Sequence, residues 1–409
     1  MVFTELTKEE FLSHIESVSF KSFMQSEEMA TLFIKRGYKI SYLGLKVKGD
    51  IKVSALVYMI PMTGGIHMEI NSGPVSSDSY FLSDFYKELT SYAKKNGVLE
   101  LIVKPFDTYQ TFDNNGKPTS KPKKELIEIL NNLGYHHDGL LTGYPGGEPD
   151  WHYVKDLKDI TSDNLLQSFS KKGKPLVKKA KTFGITLKKL KREELSIFKD
   201  ITTSTSEKHG NVDKPLDYYE DFFDSFKDKA EFMIATLNFN TYLQHLNQDQ
   251  EKLKEKMEQL KQRFKKTPTN KTQNQLSELQ QQIKTFDIRK KEAKQFIVEY
   301  GDQEVVLAGS LFVYTKQEAV YLFSGSYLAF NKFYAPALLQ EYVMLEAIKK
   351  QIPLYNFLGI TGDFENEDGV LRFKQNFNGY ITRKIGTFRY YPNPFKFKLL
   401  QGIKKILRR

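Results

Sequence analysis

The chain has 409 residues, 40% of them hydrophobic and 27% charged, and this composition excludes wholesale disorder. No apolar run reaches about 18 residues, and the first residues lack a signal-peptide profile, so we expect a cytoplasmic protein of roughly two to three domains. The absence of cysteine excludes disulfides, thiolate metal sites and a cysteine nucleophile. The seven histidines show no metal-site spacing, and we expect no metal.

Residues 1–150 are predicted to form an α/β unit. Thr7 is a helix N-cap candidate, and a helix that is broken near Ser19 follows it. The patterns YKISYLGLKV, IKVSALVYMIPM, HMEINSGPV and VLELIVKPF indicate strands, several of them joined as hairpins. Helices are expected at about 80–95 and 123–133, each ending at a glycine-containing cap signal.

Residues 151–240 and 300–409 repeat this order of elements. Strand patterns at HYVKDL, GITLKKL and EFMIATLNF alternate with helical segments, and VVLAGSLFVYT, AVYLFSGSY, YNFLGI and ITRKIGTFRYY extend the series, with a helix at about 335–350. The repetition concerns the order of elements and not the sequence itself. It predicts a second α/β subdomain built from these two segments.

The segment 241–299 interrupts the second subdomain. It contains no glycine and one proline, and its apolar residues follow heptad-like steps on both sides of Thr267-Pro268-Thr269-Asn270. This pattern predicts an antiparallel helical hairpin with two arms of roughly 33 Å. The pattern specifies helix pairing and not chemistry, so the role of the hairpin stays open between a functional arm and a spacer or dimer contact.

The balance of 61 basic and 50 acidic residues gives a net charge of +11, which favours phosphate-bearing partners. Residues 171–192 hold ten Lys or Arg and no Asp or Glu, and such a run of like charges is costly unless an anion compensates it. We predict phosphate contacts there, against the alternative of a solvated face. The candidate residues are Lys171, Lys172, Lys178 and Lys179.

The catalytic motifs that are absent narrow the chemistry. No Ser–His–Asp arrangement, Walker loop or dinucleotide glycine fingerprint occurs. Two α/β units suggest acetyltransferase-like (GNAT-type) subdomains, but Tyr144-Pro145-Gly146-Gly147 does not fit the glycine-rich loop with which such enzymes bind coenzyme A. An acyl donor other than acetyl-coenzyme A is therefore expected.

Several motifs occur in one order along nearly the whole chain. They are SFMQSEEMA, NSGPV, GYPGGEPDWHYVKDL, SFSKKGKPLVKKA, AGSLFVY, LFSGSY, KFYAPALLQ and DGVLRFKQNFNGY. Together they resemble the Fem family of peptidoglycan interpeptide-bridge aminoacyltransferases, and look closest to its MurN-like members. The resemblance implies two GNAT-type subdomains with an inserted coiled-coil hairpin and no cofactor.

The resemblance also implies the substrates. The donor would be aminoacyl-tRNA, bound by the lysines of 171–192, and the acceptor a lipid-linked muramyl pentapeptide whose branch MurN-like members extend by a second residue, usually alanine. The reaction is aminolysis of an ester, in which the enzyme must align the reactants and stabilise an oxyanion. A family Phe-Lys pair matches Phe373 and Lys374, which would stack on the terminal adenine and stabilise negative charge. Without the resemblance, Lys374 would be read as a surface lysine.

The acceptor site is implied by further matches. Lys214 and Tyr218 match family residues that bind the acceptor phosphate, and Lys35 or Arg36 would replace a second phosphate-binding lysine. A family tyrosine is replaced by Phe323.

Two further candidates depend on the strand pattern. Tyr321, predicted on the same strand face as Phe323, would restore the lost hydroxyl. Asp107 matches a family aspartate only if one residue is inserted, and is the candidate general base.

The last segment, FKFKLLQGIKKILRR, predicts a basic amphipathic helix, which would rest on an anionic membrane or pack on the protein body. Two other functions remain open at this point. One is a small-molecule N-acyltransferase of ordinary GNAT type, which coenzyme A binding would reveal. The other is a non-catalytic RNA-binding protein, which would give no turnover with charged tRNA.

Overall fold

The computed structural model describes residues 1–209, 212–365 and 368–407. Its strands form two eight-stranded sheets. The strands are β1 (Val2–Glu5), β2 (Lys39–Val47), β3 (Asp50–Met62), β4 (Gly65–Asn71), β5 (Val75–Ser76), β6 (Val98–Lys104), β7 (Thr108–Phe112), β8 (His136–His137), β9 (Trp151–Asp156), β10 (Thr186–Lys189), β11 (Ala230–Asn238), β12 (Glu304–Tyr314), β13 (Ala319–Ser326), β14 (Leu354–Ile360), β15 (Tyr380–Lys384) and β16 (Phe388–Tyr390).

The α-helices cover both sheets and form the inserted hairpin. They are α1 (Lys8–Ser17), α2 (Glu27–Lys35), α3 (Leu82–Lys95), α4 (Glu125–Asn132), α5 (Gly173–Lys181), α6 (Leu195–His209), α7 (Leu216–Phe226), α8 (Phe239–Lys266), α9 (Asn270–Tyr300), α10 (Ala335–Lys349), α11 (Gly369–Gln375) and α12 (Pro394–Leu407). The predicted α/β class, with two sheets and an inserted helical hairpin, is confirmed. The sequence analysis missed β1, β7 and α11.

The first sheet has the order β1-β2-β3-β4-β6-β16-β8, with β5 beside β3. Its strands are antiparallel except for β4 and β6, which run parallel from Ile66–Val98 to Asn71–Lys104 and are joined through α3. Helix α3 packs on the sheet because Phe85, Leu89 and other apolar residues recur every three to four positions on one face. The carboxyl ends of β4 and β6 therefore lie side by side.

The second sheet has the order β10-β11-β12-β13-β14-β9-β15-β7. Its parallel pair, β13 and β14, is held together only at Ala319–Tyr355 and Val320–Asn356, after which the strands separate. The register of β14 against β9 shifts between Asn356 and Gly359, and Leu358 has a φ of +54°. The backbone carbonyls near Leu358 consequently leave the regular ladder.

The chain passes between the two sheets at four places within the described ranges: from β6 to β7, from β7 to β8, from β8 to β9 and from β15 to β16. Strand β7 therefore belongs to the second sheet although it precedes residue 150, and β16 belongs to the first sheet. The prediction of a single strand at ITRKIGTFRYY is wrong. The segment forms two strands, β15 and β16, which are separated at Gly386, whose φ is +92°. The sheets thus exchange strands across the predicted boundary at 150, and the subdomain limits remain a prediction.

A shared core joins the two halves. Phe11 and Leu32 of α1 and α2 belong to the same buried cluster as Phe198 of α6, Phe222 of α7 and Phe232 of β11. The helices of the first half thus pack on one face of the second sheet, while α5 and α10 pack on its other face. The two halves form one continuous packed body.

The base of the hairpin is part of this body. Phe296 of α9 stacks on Phe239 with 4.5 Å between ring centroids, and the Arg289 guanidinium lies 4.9 Å from the ring of Phe183. Leu246 also belongs to the core of the second sheet. The base of the hairpin therefore packs on the body and not only on itself. Farther out, the Gln250 amide donates to the Asp287 carboxylate at 2.6 Å and fixes the helix register.

We expect that shortening the hairpin beyond this point leaves the fold intact. Replacing 254–281 with a six-residue Gly/Ser linker removes only helix pairs that pack on each other, so the free energy of unfolding of the body should change by less than about 1 kcal/mol. Urea unfolding would measure it. Removing 243–298 instead should destabilise the body by several kcal/mol, because Arg289, Phe296 and Leu246 leave the core. Equal stability of the two deletions would contradict this division.

Candidate active site

Part of the predicted acceptor site is brought together between α2, α7 and β13. The Tyr218 ring lies 6.2 Å from that of Phe323, and the Lys214 ammonium lies 5.3 Å from the Tyr218 ring centroid. Lys214 is exposed and has no ion-pair partner among the described residues. Burial raises the pKa of Tyr218 to about 12, so its hydroxyl keeps its proton and is able to donate a hydrogen bond to a ligand. This group offers one free cation and one hydroxyl to a ligand.

Lys35 and Arg36 are already paired with carboxylates of α7. Arg36 contacts Asp217 at 2.8 Å and Asp221 at 3.1 Å, and Lys35 contacts Asp224 at 3.2 Å. The Arg36 guanidinium also lies 6.0 Å from the Tyr218 ring. An acceptor phosphate would therefore have to displace a carboxylate from either residue.

Tyr321 is not on the same face as Phe323. Leu311 pairs with Phe323 and Phe312 with Tyr321, so Leu322 is an extra residue that forms a bulge. Since adjacent residues of a strand point to opposite faces, Tyr321 joins the core of the second sheet while Phe323 faces α7. The prediction of a shared face is wrong, and Tyr321 does not replace the missing hydroxyl beside Tyr218.

A polar cleft lies where the chain passes between the sheets. It is bounded by the carboxyl ends of β4 and β6, by the loop before β9 and by the turn between β15 and β16. Its lining includes Asn71, Lys104, Phe106, Glu148, Asp150, His152, Lys384 and Thr387. The carboxyl ends of parallel strands are the usual place for a ligand in an α/β sheet.

Ion pairs organise one wall of this cleft. Lys104 bridges Glu69 at 2.9 Å and Glu148 at 3.0 Å, and the Asn71 amide donates to Glu148 at 3.0 Å. Glu148 also contributes to the raised pKa of Tyr218. The Glu148 carboxylate is therefore within electrostatic range of the Tyr218 hydroxyl.

Two of the motifs meet behind this wall. Gln25 of SFMQSEEMA is 1% exposed, and its amide donates to the Asn71 carbonyl at 2.7 Å and accepts from the Leu56 amide at 2.7 Å. Asn71 begins NSGPV. Gln25 therefore fixes the end of β4 at the floor of the cleft.

Lys374 lies inside the protein, 3% exposed, on α11. Its ammonium donates to the Leu358 carbonyl at 3.1 Å and to the Gly359 carbonyl at 2.5 Å, the carbonyls that leave the ladder of β14. Burial lowers the pKa of Lys374 to about 7. Phe373 packs beside Phe377 with ring centroids 5.4 Å apart. Lys374 is therefore not the surface lysine that the sequence would suggest without the resemblance.

Lys374 is nevertheless close to the cleft. A Cβ built on Gly359 would lie 2.8 Å from the Cβ of Pro149, so only glycine permits this approach of the cleft loop to β14. The positive charges of Lys374 and Lys384 also help to lower the pKa of His152 to about 3, after the larger effect of burial. Lys374 thus supports the wall of the cleft from behind.

Asp107 follows β6 and is half-buried. Burial raises its pKa, while the Lys384 ammonium opposes this shift. Phe106 lines the cleft, whereas Asp107 does not. The candidate general base is therefore not one of the residues that line the cleft, although it is within electrostatic range of Lys384.

The predicted phosphate-binding lysines lie on or just before α5. Lys171, Lys172, Lys178 and Lys179 are exposed and form no ion pair with the described residues. Four other cations of 171–192 form ion pairs with carboxylates. Lys181 pairs with a carboxylate of α10, Lys188 with one of the turn before α6, Lys189 with one of β11 and Arg192 with one of α7. The uncompensated charge is therefore concentrated at α5.

The sequence analysis did not single out the charged residues of the cleft. The sequence did contain two signals for them. A charged residue ends a strand pattern at Lys104, after VLELIV, and at Lys384, after ITR, and the segment GYPGGEPDW contains acidic residues. Their proximity depends on the strand exchange between the sheets, which no local pattern encodes.

Comparison with known proteins agrees with this architecture. A model of the FemAB family matches residues 6–405. Aminoacyltransferase FemA of Staphylococcus aureus strain bovine RF122 / ET3-1 is 29% identical over 416 residues, covering 99% of both chains, and FemA of strain N315 has the same identity and coverage. The crystal structure of FemX superposes with a TM-score of 0.74 at 20% identity, covering 98% of this chain and 99% of that one. A tandem GNAT protein from the clavulanic acid biosynthesis pathway gives 0.50 at 7% identity, covering 96% and 99%.

The two GNAT-like sheets give the chain the fold of a tandem GNAT protein. The full-length family match is more specific. The chain belongs to the FemAB family, and the prediction of an aminoacyltransferase enzyme is confirmed.

Proposed function

We propose that this enzyme transfers an amino acid from aminoacyl-tRNA to the interpeptide branch of a lipid-linked peptidoglycan precursor, with alanine added as the second branch residue. The observation that carries the proposal is the polar cleft with its wall supported by Lys374, together with the exposed cation of Lys214 beside Tyr218. An elongated acceptor with phosphates and a peptide fits this arrangement. The cationic α5 offers a separate site for the tRNA backbone.

The required chemistry matches what the surface offers. Lys214 supplies a free cation for the pyrophosphate of the acceptor, and the cleft holds the branch amine and the ester. Aminolysis needs alignment, charge stabilisation and movement of one proton. Each of these can be supplied by side chains of the cleft.

A turnover assay tests the proposal. Purified enzyme is mixed with lipid-linked precursor, with and without a first branch residue, and with tRNAs charged with alanine, serine or glycine. Amide formation dependent on the charged tRNA supports it, and preference for alanine on the branched acceptor supports the finer assignment. Acetyl transfer from coenzyme A would instead identify an ordinary GNAT enzyme. Tight tRNA binding without any transfer would identify an RNA-binding protein.

We expect α5 to set the salt dependence of tRNA binding. Replacing Lys171, Lys172, Lys178 and Lys179 with Gln removes exposed, unpaired charges, so the fold should persist. Each lost phosphate contact should reduce the slope of log affinity against log salt by about 0.7 to 0.9. Filter binding from low to high salt would measure the slope.

A matched variant controls for net charge. Lys48, Lys87, Lys95 and Lys121 are exposed and lie outside α5, so their replacement by Gln removes the same charge from other surfaces. Its slope should stay near that of the wild type. Equal slopes for both variants would show that α5 is only a solvated face.

Helix α12 supports a peripheral contact with the inner face of the membrane. The ring centroids of Phe397 and Tyr391 are 4.2 Å apart and Leu400 contacts Gly64, so one side of α12 packs on the body. The other side exposes Phe395, Leu399, Ile403 and Ile406, at 86%, 66%, 43% and 75%. No helix in the described ranges is long and apolar enough to cross a bilayer. An in-plane helix would bring the cleft to a lipid-linked acceptor.

A further inference from the structure

One acid of the cleft has no structural partner. The Asp150 side chain is half-buried and lines the cleft, yet its carboxylate forms no hydrogen bond or ion pair with any described residue. Its main chain is fixed, because its carbonyl accepts a hydrogen bond of 2.7 Å from the Lys384 amide. The neighbouring acid Glu148 is different, since Lys104 and Asn71 both bind it. Asp150 is therefore held in place with its carboxylate free.

The charges around Asp150 come from every side of the cleft. Lys104 at the end of β6 and Arg383 of β15 favour its ionised form, whereas Glu148 and Asp138 disfavour it. Burial is the largest influence and raises the pKa of Asp150 to about 6. Near pH 7 about nine-tenths of the carboxyl is then ionised, and it exchanges its proton close to neutral pH, as an effective acid–base group requires.

Two further titratable groups line the same space. His152 donates one ring N–H to the Pro149 carbonyl at 3.2 Å, and its pKa is lowered to about 3, so it stays neutral and is too weak a base to accept a proton near neutral pH. The Lys384 ammonium donates to the Phe106 carbonyl at 3.0 Å and lies 3.6 Å from the Phe106 ring. Of the acids and bases that line the cleft, Asp150 is the one with a free acceptor atom and a suitable charge state.

Its position relative to the other candidates is also informative. Asp150 follows Pro149, which packs against Gly359, whose carbonyl is bound by Lys374. Asp107, in contrast, does not line the cleft, whereas its neighbour Phe106 does. A reacting amine in the cleft would therefore meet Asp150 before it could reach Asp107.

On the basis of the proposed function, we propose that Asp150 is the catalytic proton acceptor for the attacking branch amine. The amine nitrogen forms a bond to the ester carbonyl carbon, and its excess proton passes to the Asp150 carboxylate. When the tetrahedral intermediate collapses, the carbon–oxygen ester bond breaks and the protonated Asp150 returns the proton to the leaving 3′-oxygen of the tRNA ribose. The products are one amide and one tRNA hydroxyl, and Asp150 is again ionised.

The test compares Asp150→Asn with Asp107→Asn, with Asp159→Asn as the control because Asp159 is exposed outside the cleft. Turnover is measured from pH 5 to 8 with saturating charged tRNA and lipid-linked acceptor, and both dissociation constants are measured separately. Wild-type turnover should increase with pH, and the midpoint of this increase should lie near pH 6. Asp150→Asn should lower turnover by about 10²- to 10⁴-fold and abolish this increase with pH. The dissociation constants of both substrates should stay unchanged. Asp150→Ser, with a smaller side chain, should behave alike and guards against a folding defect.

The outcomes are separable. Turnover of both Asp150 variants within about threefold of the wild type, or loss in Asp107→Asn alone, would overturn the assignment while leaving the proposed function standing. Weakened substrate binding with an unchanged pH profile would also overturn it, because that is the result of a structural role. A wild-type enzyme that transfers nothing from any charged tRNA would overturn the proposed function itself, and the role of Asp150 with it.

Discussion

Lys374→Met is expected to lower turnover by about 10²-fold at saturating substrates, because a small displacement of the cleft wall would misalign the reacting groups. The lysine binds the two carbonyls that leave the ladder of β14 and supports the cleft wall through Gly359. Methionine keeps much of the volume but leaves both carbonyls without this donor. Unfolding free energy should therefore also fall, by about 1 to 3 kcal/mol. Single-turnover kinetics and urea unfolding measure the two effects.

Lys349→Met is the matched control, because Lys349 is 76% exposed and should change neither quantity appreciably. The pH dependence of stability gives an independent check. The folded chain releases the Lys374 proton near pH 7 and the unfolded chain near 10.5, so this group makes stability rise between these values. The variant should lack that contribution. Turnover close to that of the wild type would refute a role of Lys374 in catalysis.

Removing the apolar stripe of α12 is expected to lower affinity for anionic vesicles by about 10²-fold. Replacing Leu399, Ile403 and Ile406 with Gln removes roughly 1 kcal/mol or more of apolar burial per side chain. These residues are exposed, so the fold should not change. Turnover should fall on the lipid-linked acceptor but not on a water-soluble muramyl pentapeptide. Sedimentation with phosphatidylglycerol vesicles measures binding.

A charge variant separates the two contributions to this contact. Replacing the lysines of α12 with Gln should weaken binding to anionic vesicles by about 1 kcal/mol per lysine and have little effect on neutral ones. The residues are Lys396, Lys398, Lys404 and Lys405. Undiminished vesicle binding by both variants would mean that α12 does not contact the membrane.

The elements that were predicted well have strong local signals. Strand β12 was expected at VVLAGSLFVYT and is found at 304–314, and the hairpin turn was placed at residues 267–270, between α8 and α9. Helix α11 was missed because seven residues around Arg372 are too few for a periodic pattern. The bulge at Leu322 was missed because only pairing with β12 reveals it.

The candidate site was predictable where a motif supplied it. Lys214, Tyr218 and Phe323 do meet, as the resemblance implied, although Arg36 proved to be engaged with α7. The environment of Lys374 could not be predicted, since its burial depends on the irregular backbone of β14. The free carboxylate of Asp150 in the cleft could not be predicted, because the cleft is formed by three segments that are distant in the sequence.

The four passages of the chain between the sheets have a mechanical consequence. A single linker would let the two sheets move freely relative to each other, whereas four connections restrict this motion. Residues of three of these connections line the cleft, so its width should vary little as substrates arrive and leave. Neither lobe could be expressed alone with its sheet complete, because β7 and β16 would each be left in the wrong fragment. Exchange of whole lobes between relatives should therefore fail unless these strands are exchanged with them.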